Sequence, residues 1–136
     1  MESRVAKTLE NHKKGYNCCQ AVACAYCDLV GMDEATLFRA AEAFGAGMGG
    51  METTCGAVSG AVLLAGLKNS GGDLENPRTK GGSYRLSKQI VEEFQKKNTT
   101  VVCKELKGVE TKQALRSCDG CIEDAAAIAE RILFAE

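Results

Sequence analysis

The chain has 136 residues, 45% hydrophobic and 26% charged, with a formal net charge of −1 and an isoelectric point near 5.9. That composition suits one globular domain and excludes a disordered chain, and the balanced charge gives no general footprint for nucleic acid. No apolar run approaches the roughly 18 residues that a bilayer span needs, and the polar N-terminal segment does not read as a secretory signal, so the expected compartment is the cytoplasm.

Helical periodicity runs through nearly the whole chain. Val5 and Leu9 predict a first short helix over 3–14, with Ser3 as its cap and Gly15 as its stop. Asn17 caps a second helix over 18–30, ended by Gly31. Asp33 caps a third, running to Phe44, with Leu37, Ala40, Ala41 and Phe44 as its inward stripe. The glycines of GAGMGGM, residues 45–51, then break the helical pattern. Thr53 or Thr54 caps a helix over 55–68, the most apolar segment and the expected centre of the core. Pro77 is the only proline and is placed in the first turn of a long polar helix over 77–97, with Ile90, Val91 and Phe94 facing inward. A short helix, or less favourably a strand, follows around 101–107. Ser117 or Asp119 opens the last helix, to about residue 134, with Ile122, Ala125, Ala126, Ile128, Ala129 and Ile132 inward. The class is all-α, one compact bundle of about five to seven helices.

Eight cysteines stand out against this background: Cys18, Cys19, Cys24, Cys27, Cys55, Cys103, Cys118 and Cys121. In a reducing compartment such residues point to catalysis, redox sensing or metal binding more than to structural bridges, although about half can serve as small buried hydrophobes. His12 is the only histidine and lies in a lysine-flanked stretch, where it is expected to face solvent. A lone histidine also makes Cys-His hydrolase chemistry a poor fit.

The predicted helix starts give the cysteines a common setting. Cys18 follows a capping Asn, Cys55 follows a capping Thr, Cys103 lies near the start of a short helix, and Cys118 and Cys121 share the first turn of the last one. Free backbone N–H groups and the helix dipole favour an anion there, and a thiolate is the reactive form of cysteine. Cys118-Asp119-Gly120-Cys121 has the helix-start placement of a dithiol–disulfide couple. Cys24-Ala25-Tyr26-Cys27 falls mid-helix and reads as core packing. A four-cysteine zinc site from the two pairs would need ligands from distant segments, unlike compact zinc knuckles. An iron–sulfur cluster would likewise gather its ligands from separate helices.

Cys55-Gly56-Ala57-Val58-Ser59-Gly60-Ala61 is the most specific stretch. Gly56 and Gly60 share one helix face, which lets another backbone come close and brings Cys55 up to cysteines of other helices. The preceding Gly45–Gly50 loop lacks the strand and the Lys-Ser/Thr ending of a phosphate-binding loop, and is read instead as a flexible segment or tight turn beside Cys55.

These residues resemble the C_GCAxxG_C_C family of redox-active proteins, marked by four cysteines and a Cys-Gly-Ala-x-x-Gly motif. Gly15-Tyr16-Asn17-Cys18-Cys19 looks like its first cysteine segment, Cys55-Gly56-Ala57-Val58-Ser59-Gly60 its central motif, Cys103-Lys104-Glu105-Leu106-Lys107-Gly108 its third, and Cys121 with the following alanines its fourth. The resemblance implies a working set of Cys18, Cys55, Cys103 and Cys121, with Cys19 and Cys118 as neighbours to which the first and last assignments can slip. It implies thiol/disulfide or electron-transfer chemistry with an unidentified redox partner, of which a thiol oxidoreductase is one form. The alternative is a [2Fe–2S] cluster or zinc held by the same four cysteines. A similar domain occurs in split-Soret cytochromes, but no C-x-x-C-H haem attachment motif is present here. Small-residue helix faces also make a homodimer an expectation.

Overall fold

The computed structural model describes residues 1–135. Those residues form an all-α bundle of seven helices with no strand: α1 (Val5–Lys13), α2 (Cys18–Cys24), α3 (Glu34–Ala41), α4 (Gly56–Asn69), α5 (Lys80–Asn98), α6 (Cys103–Lys107) and α7 (Cys118–Ala129). Short 3₁₀ turns at Cys27–Val30 and Glu42–Phe44 and a π turn at Glu130–Phe134 extend three of them. No helix among the described residues is long and apolar enough to cross a membrane.

The elements fall where the periodicity places them, but several ends differ for identifiable reasons. Arg4 stands at the N-cap of α1, and Ser3 Oγ accepts from the Val5 amide at 3.3 Å. α2 stops at Cys24 instead of running to residue 30. The Arg4 guanidinium takes the Ala25 carbonyl at 3.0 Å and so occupies an acceptor that a continued helix would use. In α3 only Leu37 and Ala41 are buried; Ala40 and Phe44 are exposed, because this short helix packs chiefly on α2. The long helix begins at Lys80, leaving Pro77 in the preceding loop. There Asn69 and Gly71 hydrogen-bond Thr79, at 3.2 and 3.1 Å, and hold the chain out of helical conformation. Ser117 caps α7 by accepting from the Gly120 amide at 2.9 Å.

Thr53 and Thr54 do not cap α4. Thr54 forms an antiparallel bridge with Val102, flanked by Cys55 N–H to the Val101 carbonyl at 2.7 Å and Cys103 N–H to the Thr53 carbonyl at 2.9 Å. This pairing makes Cys55 itself the N-cap residue and fixes it beside the start of α6.

α4 is the centre of the bundle, packed against α2, α5 and α7. Ala57, Val58, Ala61, Leu64 and Ala65 are fully buried along it. Two glycines set its distance from α2. A Cβ at Gly60 would lie 2.8 Å from the Cys19 carbonyl oxygen and 3.1 Å from Val22 Cβ; one at Gly56 would lie 3.1 Å from Cys18 Cβ. The helices therefore meet almost backbone to backbone, as the spacing of small residues predicts.

The glycine segment before α4 is a tight left-handed turn. Ala46, Gly47 and Met48 have φ of 53°, 57° and 67°, and Gly49 N–H closes on the Gly45 carbonyl at 2.9 Å. Left-handed geometry costs a non-glycine residue about 1–2 kcal/mol. Gly47 is required on a second count, since a Cβ there would stand 2.5 Å from Cys103 Cβ.

Two substitutions in one helix separate packing from helix propensity. Gly60→Ala places its methyl against backbone and is expected to destabilise the protein by about 1–3 kcal/mol. Gly66→Ala in the same helix meets nothing within 4 Å and is expected to stabilise it by up to about 1 kcal/mol. Urea denaturation of the two variants reads the difference; an equal effect at both sites would remove the close α2–α4 contact as the explanation.

Candidate functional site

Four helices begin at one place. Cys18 is the first residue of α2, behind the capping box of Asn17 and Gln20. Cys55 is the N-cap of α4, Cys103 the first residue of α6 and Cys118 the first residue of α7. These four, with Cys121 one turn into α7, line a single small pocket together with Ala46, Gly56, Leu106, Lys107 and Arg116. Its free volume is about 10 Å³, near the lower limit for one water molecule. Cys55, Cys103 and Cys121 are 5%, 4% and 3% exposed, whereas Cys18 and Cys118 are half-buried. All eight cysteines are free thiols.

The remaining three lie elsewhere. Cys19 is buried under the Gly60 contact. Cys24 packs with Ala23 and Leu37 in a second apolar cluster, with Cys27 against its edge. Thus the 24/27 pair sits in or against core packing, as expected, although it is not mid-helix: α2 ends at Cys24 and a 3₁₀ turn begins at Cys27. The 118/121 pair sits in the pocket.

Helix starts favour thiolates, but burial opposes them, and the outcome differs at each sulfur. Burial first, then the negative charge of Cys55 and Cys118, pushes Cys18 up to about 12. Burial also raises Cys103, with Lys107 opposing but not cancelling it. Cys55 alone among the pocket thiols is lowered, to about 7. The largest cause is the Cys121 S–H, which donates to the Cys55 sulfur and outweighs burial. The Ala57 and Val58 amides at the start of α4 and the Lys107 ammonium add to it. These amides face the sulfur without forming a capping hydrogen bond. Cys121 is correspondingly held as the neutral thiol, by its bond to Cys55 and then by burial. The two thiols are therefore pushed in opposite directions, Cys55 toward the thiolate and Cys121 toward the neutral form.

Two cations line the pocket that the cysteine pattern did not single out. Lys107 hydrogen-bonds Cys118; its place four residues after Cys103, on one helix face, is the signal that marks it. Arg116 is held from behind by Asp124, which is 4% exposed. Asp124 accepts from Arg116 Nε at 3.1 Å, Lys97 at 2.7 Å and Asn98 at 3.1 Å. His12 is partly exposed, its side chain 30% accessible, and its Nδ1 lies 2.7 Å from Asp119, inside the 118–121 motif.

A family model described as "Putative redox-active protein (C_GCAxxG_C_C)" matches residues 16–132. The chain belongs to this C_GCAxxG_C_C family. The match spans all five pocket cysteines, from the α2 start to the α7 turn. No curated protein and no solved structure matches the chain significantly. Among the described residues, no group of three or more His, Cys, Asp or Glu side chains is arranged to hold a metal ion.

The Cys55 environment has a direct spectroscopic consequence. Ultraviolet thiolate absorbance, taken as wild type minus Cys55→Ser, is expected to grow as pH rises through about 7. Cys121→Ala removes the largest stabilising contact and is expected to move that midpoint up toward the ordinary thiol value. A wild-type midpoint already at the ordinary value would show that Cys55 is not stabilised as a thiolate.

Proposed function

We propose that the chain is a thiol–disulfide redox protein whose two-electron couple is Cys55 and Cys121. The observation that carries this reading is that the two buried sulfurs line one pocket and each is the largest influence on the other, Cys55 drawn toward the thiolate and Cys121 toward the thiol. A thiolate is the attacking species in thiol–disulfide chemistry, and a nucleophile with a pKa near ambient pH is close to optimal. Oxidation joins the two sulfurs and releases two electrons, with two protons if Cys55 starts as thiol and one if it starts as thiolate. Reduction by a dithiol reverses this. Of Cys18, Cys103 and Cys121 as resolving partners for Cys55, Cys121 is favoured, because its interaction with Cys55 is the largest effect on either thiol. Membership of a redox-active family supports the same class of function. A reducing compartment such as the cytoplasm suits eight unpaired cysteines.

Mild oxidation with diamide, followed by alkylation and peptide mapping, tests the couple. The expected product is a Cys55–Cys121 disulfide, with loss of two thiols and little change in helical content. Cys55→Ser and Cys121→Ser should each abolish that bridge. Oxidation at other cysteines first would overturn the assignment. Protein purified without oxygen that carries stoichiometric iron and sulfide, or zinc, lost in Cys55→Ser, would replace it with a metal centre.

A further inference from the structure

The proposed couple has an access problem. Both of its sulfurs are nearly fully buried, and the pocket beside them has a free volume of only about 10 Å³. No dithiol or disulfide partner fits that space. Cys118 lines the same pocket, is half-buried, and opens α7 three residues before Cys121. Residues at this spacing are neighbours on one helix face. The Lys107 ammonium lines the same pocket and interacts with its sulfur.

We propose that Cys118 is the outward port of the site, exchanging with the buried Cys55–Cys121 disulfide and delivering it to a dithiol reductant. This rests on the couple proposed above. In the first step the Cys118 thiolate attacks Cys121 Sγ. The Cys118–Cys121 bond forms, the Cys55–Cys121 bond breaks, and Cys55 leaves as a thiolate; no electrons are gained or lost. In the second step the two thiols of the reductant reduce the Cys118–Cys121 bridge. They leave Cys118 and Cys121 as thiols and become a disulfide, so two electrons and two protons pass to the protein.

The direction of the first step follows from leaving-group chemistry, since the thiol of lower pKa departs faster. Cys55 stands at the N-cap of α4, where the Ala57 and Val58 amides and the Lys107 ammonium favour its charge, and these stay in place when Cys121 passes into the new bridge. Cys18 is also half-buried, but burial is the first cause that raises its thiol pKa, and it lies on α2, not on the helix turn of Cys121, which makes it the poorer attacking group. The exchange therefore moves the disulfide outward by one helical turn while the negative charge settles where the fold stabilises it.

The test follows reduction of the diamide-oxidised full chain by dithiothreitol, with disulfides mapped at each time point. Wild type is expected to show both bridges, Cys55–Cys121 first and Cys118–Cys121 during reduction. Cys118→Ser should still form Cys55–Cys121, but lose it at least about tenfold more slowly, as loss of the attacking thiolate requires. Cys118→Ala, with helicity checked by circular dichroism, should behave the same way. In Cys55→Ser the oxidised product should be the Cys118–Cys121 bridge. A Cys55–Cys121 bridge reduced at the wild-type rate in Cys118→Ser would overturn the port and leave the couple standing. Absence of that bridge in oxidised wild type would overturn the couple and the port together.

Discussion

The near contact of α2 and α4 at Gly56 and Gly60 is the constraint on which the site depends. With a carbonyl oxygen and two Cβ atoms about 3 Å from where side chains would begin, the two helices meet almost backbone to backbone. That distance sets Cys18 beside Cys55 and closes the floor of the pocket. It also leaves α4 buried among α2, α5 and α7, so the helix that carries the central thiol is the one least free to move. A second constraint acts from the other side. The bridge between Thr54 and Val102, with its flanking hydrogen bonds, ties the start of α4 to the start of α6. The left-handed turn at 45–48 is packed against that junction, and strained backbone of this kind commonly gathers near functional groups.

Magnitudes explain why four similarly placed cysteines end up different. A helix terminus contributes about 0.3–1 kcal/mol to a nearby charge, less than one pKa unit. Burial can shift a thiol by several units in the opposite direction. The dipole alone therefore loses, and Cys18 and Cys103 are raised despite standing at helix starts. Cys55 escapes because its position adds a donor from Cys121, two facing amides and the charge of Lys107. Placement at a helix start is thus a necessary part of the Cys55 environment, but the neighbouring S–H is the larger one.

The pocket has a graded depth. Cys55 and Cys121 lie inside, Cys118 and Cys18 nearer the surface, and Lys107 and Arg116 supply positive charge along its wall. Arg116 is anchored by the buried Asp124, which also receives Lys97 and Asn98 from α5. This links the wall of the pocket to the long helix and holds the segment that precedes α7.

The sequence by itself determined the helical class, the central place of residues 55–68 and the grouping of Cys18, Cys55, Cys103, Cys118 and Cys121 at helix starts. These follow from local rules: apolar periodicity, capping residues and the spacing of Gly56 and Gly60. It also separated Cys24 and Cys27 from the others as packing residues, although the mid-helix position it gave them is replaced by the end of α2 and the start of a 3₁₀ turn. Tertiary structure decided what local rules cannot reach. Thr54 was taken up by Val102, so Cys55 became the cap; the Ala25 carbonyl was taken by Arg4, so α2 ended early. Above all, the meeting of Cys55 and Cys121 in one pocket, and the loss of thiolate character at Cys18 and Cys103, depend on burial and on packing between helices far apart in sequence. Helix propensity is written residue by residue, whereas desolvation and the contact of two sulfurs exist only once the bundle has closed.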